Sequence, residues 1–350
     1  MKVTVIYSPE YLMHDTGKHP ESPLRVKRSI EAIKKSEVYL KGLVRVKSPR
    51  RAEEDEIEEI HSRGLLEKVK NLSLKGGGVI APETIVSKET YNVALLAAGG
   101  AIRGVEGSIN GEDKRAFALI RPPGHHAERK RSKGFCIFNN VAIAAAKALK
   151  MGIRRILIMD WDAHHGDGTQ KLFYSNPSVL YISIHQDGRT LYPGTGDIYD
   201  IGEYEGEGYT INIPLPPLST GKIALRAMEE IAIPIIEQFK PHIILVSAGY
   251  DGHYLDDISD LMYTSNTYSR MMERIVKMAN KYSYGRVVAV LEGGYHLKAT
   301  PKSIVKTIEA LAEKPVKYER NRTVTSKSLE RKAELLIKKI KNVLSDYWSF

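Results

Sequence analysis

Read for its apolar and polar positions, the chain alternates between short apolar runs and longer amphipathic stretches. The runs at residues 2–7, 116–120, 156–159, 179–184, 209–213, 242–246 and 286–291 are apolar with little alternation. That is the pattern of strands covered on both faces of a parallel sheet. Residues 24–39, 52–60, 64–74, 87–105, 141–149, 222–239 and 263–282 are predicted helical from apolar residues three and four apart. In the first of these, Val26, Ile30, Ile33 and Leu40 form the stripe. The helix at 87–105 is rich in small residues, which suits close packing on a sheet. Strand followed by helix, repeated along the chain, predicts an α/β fold.

The stretches between are read from their turn residues. Pro20 and Pro23 stiffen residues 14–23 into a loop, in which a histidine reads as a loop cap. Residues 75–86 open on Lys75-Gly76-Gly77-Gly78 and read as a flexible loop. Neither a following Lys-Ser/Thr nor a GxGxxG spacing is present, which excludes a phosphate-binding loop. Residues 315–328, with Arg320-Asn321-Arg322, read as a polar linker ahead of a last helix at 329–350. The apolar residues of that helix, Leu329, Ala333, Leu336, Ile340, Val343, Tyr347 and Phe350, fall alternately four and three apart. Such a seam packs on the body of the protein or pairs with a second subunit. A third use is to lie on a membrane surface through Lys338, Lys339, Lys341 and Trp348.

Composition narrows the class. The 350 residues are 42% hydrophobic and 27% charged, as in a soluble globular protein of one large or two modest domains. Fifty-two basic against 42 acidic side chains give a net charge of +10, which permits nucleic acid, anionic lipid or acidic partners and selects none of them. Cys136 is the single cysteine, so no intrachain disulfide exists and a reducing compartment is expected. Residues 1–7 read as a strand rather than a secretory leader, and no apolar stretch has the length of a membrane span. A cytoplasmic location is therefore expected.

Chemistry gathers where the apolar runs stop. Residues 156–159 run into Asp160-Trp161-Asp162-Ala163-His164-His165-Gly166-Asp167, and open α/β sheets bind ligands at the carboxyl ends of strands. Asp162 and His164 are two apart and point to one side of an extended chain, as half of a zinc site would; Asp160 points the same way. The run at 116–120 ends in Arg121-Pro122-Pro123-Gly124-His125-His126, the run at 242–246 leads to Asp251, and the run at 286–291 ends in Glu292-Gly293-Gly294-Tyr295. Asp162, His164 and Asp251 make three ligands and leave a position open, as catalytic zinc requires; ferrous iron accepts the same donors. His126 is assigned the proton transfer and His125 the developing charge, with Asp160 and Asp167 as carboxylate partners of the two imidazoles. Tyr295 would donate to a forming oxyanion. The reaction class is metal-assisted amide hydrolysis. A Cys136 nucleophile is set aside because large apolar residues surround it in sequence.

In these residues the sequence resembles the histone deacetylase superfamily, which includes class II-like deacetylases, acetylpolyamine amidohydrolases and acetoin-utilisation proteins. The resemblance rests on His19-Pro20-Glu21 with Arg25, Arg121 to His126, Gly134 to Asn140, Asp160 to Thr169, Ser183 to His185, Tyr192 to Gly196, Ser247 to Asp251 and Glu292 to Tyr295. It implies a three-layer, arginase-like α/β fold, with a central, mostly parallel sheet of about eight strands flanked by helices. It implies a catalytic domain at 1–314, outside which the linker and the last helix fall. It implies zinc on Asp162, His164 and Asp251, and Phe135 lining an acyl-lysine channel with Gly134 and Gly294 beside the substrate. Arg25 would lie near an exit for acetate. A structural potassium ion would use Asp160, Asp162, His164 and Ser183, with Ile184 contributing only backbone.

The resemblance predicts a deacetylase acting on acetyl-lysine in protein or on an acetylpolyamine. A homo-oligomer is a separate expectation, for which the apolar seam of the last helix is one route. Membrane-surface association and direct nucleic-acid binding are not favoured. Residues 71–86 hold no clear match to the aspartate that grips substrate backbone in histone-directed members; Glu83 stands nearest. The acidic group Leu255-Asp256-Asp257 with Asp260 reads as a solvated loop, or else as an attractor for a cationic amine. Two other readings compete. One is an arginase-like dimetal ureohydrolase, against which the His125-His126 pair argues. The other is a non-catalytic basic binding or scaffold protein, which has no need of the full ligand set.

Overall fold

The computed structural model describes residues 1–318 and 323–350, so residues 319–322 of the expected linker, Arg320, Asn321 and Arg322 included, lie outside the described residues. The strands, in chain order, are β1 (Val3–Ile6), β2 (Val44–Lys47), β3 (Gly77–Ala81), β4 (Thr84–Ser87), β5 (Arg115–Ala118), β6 (Ile156–Asp160), β7 (Val179–Gln186), β8 (Thr210–Leu215), β9 (Ile243–Ala248) and β10 (Val287–Leu291). Eight of them form one sheet in the order β2-β1-β5-β10-β9-β6-β7-β8. Every neighbouring pair in it is parallel. All side chains of β5, β6, β7, β9 and β10 are buried, which is why these runs carry no polar alternation.

Helices flank the sheet in two groups. Thr90–Ile109 packs beside Asn140–Lys150, and Ala299–Leu311 packs with Ser265–Tyr282 and with Leu24–Lys35. The small residues of Thr90–Ile109, among them Ala97, Ala98, Ala101 and Gly104, are buried, as expected. The order of strands has a functional consequence. The strands that lead into His125, Tyr295, Asp251 and Asp162 are β5, β10, β9 and β6, four consecutive neighbours at the centre of the sheet. Their register aligns Ala118 with Val290, Leu291 with Ala248, and Ser247 with Asp160, so their carboxyl ends finish level.

Several expectations are corrected. Residues 75–86 are not a flexible loop: β3 and β4 pair antiparallel, Gly78 opposite Val86 and Val79 opposite Ile85. The hairpin turns at Pro82 and Glu83, whose φ of 54° is left-handed, and the glycines at its start masked the strand pattern. The predicted helix at 24–39 stops at Lys35, because Ser36 is extended and caps a separate short helix, Glu37–Leu40, through its Oγ. Leu40 is accordingly 73% exposed rather than part of the buried stripe. The amphipathic run at 222–239 is broken by a π turn at Met228–Ala232, just before Pro234, which has no N–H to continue the ladder.

The last helix spans Lys327–Leu344 and buries Ala333, Ile337, Ile340 and Leu344. This seam shares Ala333 and Ile340 with the expected one and is otherwise turned toward the body, where it packs on Gly221–Ala227, Met228–Ala232 and β8. Trp348 donates from Nε1 to Gly208 O at 2.7 Å, and Tyr347 to Glu207 Oε1 at 2.6 Å. The face with Ala333, Ile337, Ile340 and Leu344 is thus covered by the protein itself, whereas Tyr347 and Phe350 of the expected seam stay 39% and 44% exposed. Among the described residues no helix is long and apolar enough to cross a membrane.

Candidate active site

The β6 and β9 ends bring Asp162, His164 and Asp251 together, buried, with one donor atom of each within 4.8 Å of the others. His164 Nδ1 lies 2.9 Å from Asp251 Oδ2 and 3.2 Å from Asp162 Oδ1. The carboxylates are held by backbone donors. Ala163 N–H donates to Asp251 Oδ1 at 2.9 Å, His164 N–H to Asp162 Oδ1 at 2.9 Å, and Gly293 N–H to Asp162 Oδ2 at 2.8 Å. Burial and the neighbouring Asp162 push the Asp251 carboxyl well above its usual range. Burial works the same way on Asp162, but the His125 and His164 imidazoles outweigh it and hold that carboxyl well below its usual range. Two carboxylates forced together out of water, with an imidazole nitrogen aimed between them, are a donor set that fits a divalent cation.

Gly293 carries the close approach. A Cβ there would come within 2.6 Å of Asp162 Oδ2 and nearer still to Asp251 Oδ2. Gly293→Ala is therefore expected to push both carboxylates out of place and weaken metal binding roughly 10–100-fold. Titration with a competing chelator measures this, and an unchanged affinity would mean that the carboxylates relax without cost.

The two histidines each have a carboxylate. His125 Nδ1 donates to Asp160 Oδ2 at 3.1 Å, and His126 Nδ1 to Asp167 Oδ1 at 3.0 Å. Asp160 also accepts from Asp162 N–H at 3.1 Å and from Tyr181 Oη at 3.2 Å. Asp167 is paired with Lys133 as well. The rings of His125 and His126 lie 4.1 Å apart and titrate in opposite directions. Burial opposes charge on His125, but Asp162 and Asp160 outweigh it and raise its pKa well above 6.5. Burial and the charge of His125 lower His126 to about 4. The two carboxylates beside His125 thus favour its charged form, while burial favours a neutral His126. Ser183, across from Asp160 in the β6–β7 register, has its Oγ 2.8 Å from His185 Nδ1.

Above this floor lies a cavity of about 440 Å³. Phe135, Leu191, Tyr192 and Ile258 supply apolar wall, and the β3–β4 hairpin adds Pro82 and Glu83. The hairpin is tied in by Phe135 N–H, which donates to Thr84 Oγ1 at 3.2 Å. Gly134 has a left-handed φ of 55°, and a Cβ on it would meet the His126 ring at 2.5 Å, so the backbone can pass there only as glycine. Tyr295 sits edge-on to Phe135 with centroids 5.7 Å apart, and the Arg25 guanidinium lies 4.7 Å from its ring. Burial raises the Tyr295 phenol well above 10, which keeps it a hydrogen-bond donor. Arg25 donates from Nε to Gly294 O at 2.6 Å and also to Glu292 O. His19 is not at the donor cluster. Its Nδ1 accepts from Glu21 N–H at 3.0 Å, the loop-cap reading, and its ring packs on Phe135.

Some supporting residues escaped the sequence reading. Glu292, fully buried, accepts N–H bonds from Gly124 at 2.7 Å and His125 at 3.1 Å, and burial pushes it up to about 7. A carboxylate closing an apolar strand was the available signal. Asp256 is the second: Leu255, Asp257 and Asp260 around it are exposed, as in a solvated loop, but Asp256 itself is buried and bonded to the backbone beside Tyr295. Cys136 is buried, and its thiol is pushed well above 9 by that burial, so it is no thiolate nucleophile.

With this geometry in view, comparisons with known proteins are informative. Residues 19–311 match the family model described as the histone deacetylase domain. A probable deacetylase of Archaeoglobus fulgidus is 41% identical over 314 residues, covering 89% of this chain and 87% of the relative. A histone deacetylase-like amidohydrolase of Pseudomonas aeruginosa is 36% identical over 299 residues, covering 84% and 77%. A crystal structure of the HDA15 HD domain superposes with a TM-score of 0.88 at 29% identity, covering 99% of this chain and 95% of that one. A match that runs through every strand end bearing the cavity's polar groups identifies the chain as a member of the histone deacetylase family.

Proposed function

We propose that the protein is a metal-dependent amidohydrolase that deacetylates N-acetylated amines, with Asp162, His164 and Asp251 holding zinc, or ferrous iron through the same donors. One observation carries the reading: a buried two-carboxylate, one-imidazole cluster shares a single cavity with a neutral imidazole and a phenol donor. A divalent cation bound there supplies Lewis acidity, lowering the pKa of water and polarising an amide carbonyl. The chain's own groups do the rest. His126 Nε2 accepts a proton from the attacking water and returns it to the leaving amine. Its Nδ1–H bond to Asp167 fixes the tautomer for that role. His125, whose Nδ1 bonds Asp160 Oδ2, stabilises the negative charge that develops nearby. Tyr295 Oη donates to the carbonyl oxygen as it becomes an oxyanion. Phe135 and Tyr192 flank the acyl-bearing chain and limit water. Acetate and the free amine are the products. We assign Asp160, Asp162, His164 and Ser183 to a structural potassium ion, and acetyl-lysine in protein or an acetylpolyamine to the cavity.

The arginase-like alternative gains nothing from the geometry, because the cavity side of the donor cluster is taken by the His125 and His126 imidazoles, bonded to Asp160 and Asp167, rather than by carboxylates for a second divalent ion. The test is to strip the protein with a chelator, restore zinc or ferrous iron, and assay an acetyl-lysine peptide beside acetylated polyamines. Activity should vanish and return with metal. Tyr295→Phe should retain metal yet lose about 10²–10³-fold in kcat, the usual worth of one oxyanion donor. Turnover by metal-free protein, or none on either substrate class after reloading, would refute the proposal.

A further inference from the structure

Tyr295 follows two glycines, so its own backbone has little to hold it, yet its hydroxyl must reach one point above the donor cluster. Two groups fix it from outside. Arg25 bonds the carbonyls of Glu292 and Gly294 on one side. On the other, Asp256 Oδ2 accepts from Tyr295 N–H at 2.6 Å and from His296 N–H at 2.9 Å. Asp256 is 5% exposed, and its loop is tied down in turn: Asp256 N–H donates to His253 O at 2.7 Å, and His253 N–H to Tyr250 O at 3.3 Å. Tyr250 N–H donates to Gly293 O at 3.0 Å, and Ser259 Oγ donates to Asp251 O at 2.8 Å. The loop that leaves the third donor, Asp251, therefore returns one carboxylate to the peptide N–H of the phenol's own residue.

We propose that Asp256 is a positioning residue for the deacetylation reaction, setting the reach of the Tyr295 hydroxyl through the paired N–H bonds at Tyr295 and His296. This rests on the role assigned above to Tyr295. A carboxylate oxygen that takes two consecutive N–H groups pins both the position and the tilt of that peptide. Without it, Gly293 is still held by Asp162 and Tyr250 and Gly294 by Arg25, but the Tyr295 peptide itself loses its anchor and the phenol swings away from the site where charge forms. An asparagine can still offer one oxygen to both N–H groups; an alanine cannot. Substrate contacts elsewhere in the cavity are untouched, so the loss belongs in kcat rather than KM.

The experiment is a double-substitution cycle on the full-length, metal-loaded protein: Asp256→Ala, Asp256→Asn and Tyr295→Phe singly, and Asp256→Ala with Tyr295→Phe together. Metal content and thermal melting are measured on each. Asp256→Ala should lower kcat about 10–10²-fold, as an ångström-scale misplacement does, with KM little changed and metal retained. Asp256→Asn should recover most of that loss. In the Tyr295→Phe background, Asp256→Ala should cost less than about twofold, since the group it positions is already gone. Equal losses in both backgrounds, or loss of metal from Asp256→Ala, would overturn the inference while leaving the Tyr295 role intact. An undiminished Tyr295→Phe enzyme would instead strike the role itself, and this inference with it. Should Asp256→Ala fail to fold, Asp256→Glu decides the matter: it keeps the charge, displaces the accepting oxygen, and must lower kcat in the tyrosine enzyme alone.

Discussion

His126→Ala is expected to lower kcat by roughly 10²–10⁴-fold, the range for loss of a positioned general acid–base. The two neighbouring imidazoles are not interchangeable. His125 lies between two carboxylates, 3.1 Å from Asp160 Oδ2 and 3.8 Å from Asp162 Oδ1, and both favour its charged form. His126 faces one carboxylate, Asp167, and that carboxylate is shared with Lys133. Burial and the adjacent positive ring then favour its neutral form, lowering it to about 4. Its ring is stacked on no donor of the metal cluster closely enough to hold it: the His126 and His164 centroids are 6.1 Å apart. Metal content in His126→Ala should therefore stay at the wild-type ratio, measured by elemental analysis alongside kcat. An enzyme of near-normal kcat would return the proton transfer to His125.

Glu21→Gln is expected to destabilise the fold by about 3–5 kcal/mol, the cost of removing one partner from a buried ion pair. Glu21 is buried and sits between two arginines. Arg121 grips it twice, Nε to Oε1 at 2.9 Å and NH2 to Oε2 at 2.7 Å, and Arg25 NH1 adds a bond to Oε1 at 3.0 Å. The same two arginines tie the early loop to the site, Arg121 through Tyr11 O and His14 O, Arg25 through Gly294 O. Gln keeps the shape and leaves two guanidinium charges without a counter-charge. Denaturant titration at pH 7 gives the difference, and a loss below about 1 kcal/mol would mean that solvent reaches the arginines.

The pH dependence has a definite sign. Burial by itself would raise Glu21, but Arg121 and then Arg25 outweigh it and hold the carboxyl far below its ordinary 4.5. The unfolded chain thus takes up the proton first as pH falls. The stabilisation by Glu21 is complete above about pH 4.5 and is lost as pH drops from there toward the lower folded-state value. Wild type should lose more stability than Glu21→Gln between pH 6 and about pH 3. Parallel curves for the two proteins would remove Glu21 from the acid response.

Seven of the eight strands of the main sheet and the chemistry at their ends were legible because both are local, whereas the edge strand β2, with Arg45 and Val46 exposed, left no such run. A parallel strand buried on both faces leaves an apolar run of four or more residues, and polar groups stop such a run at its carboxyl end. Asp162 and His164 two residues apart, and the adjacent His125 and His126, needed only that rule to be picked out. The neighbouring order β5-β10-β9-β6, which makes those separate ends into one cavity, is carried by no one segment and came only with the tertiary structure. Residues 75–86 misled for a physical reason. Glycine carries no side chain to show period two, so a hairpin that walls the cavity through Pro82 and Glu83 read as a loop.

By itself, then, the sequence determined which residues could do chemistry, which strands would carry them and the family the chain belongs to. The tertiary structure decided which supporting partners meet them. Asp256 finds the Tyr295 N–H across 39 residues and Arg25 finds the Gly294 carbonyl across 269, and neither pairing leaves a periodic trace in the chain. The last helix makes the same point: three- and four-residue spacing announces an apolar face, yet the body of the protein, not the spacing, selected Ile337 and Leu344 as the buried positions. Periodicity records that a face must be covered. What covers it depends on the path of chain segments distant in sequence, and those contacts are fixed only when the whole sheet has closed around them.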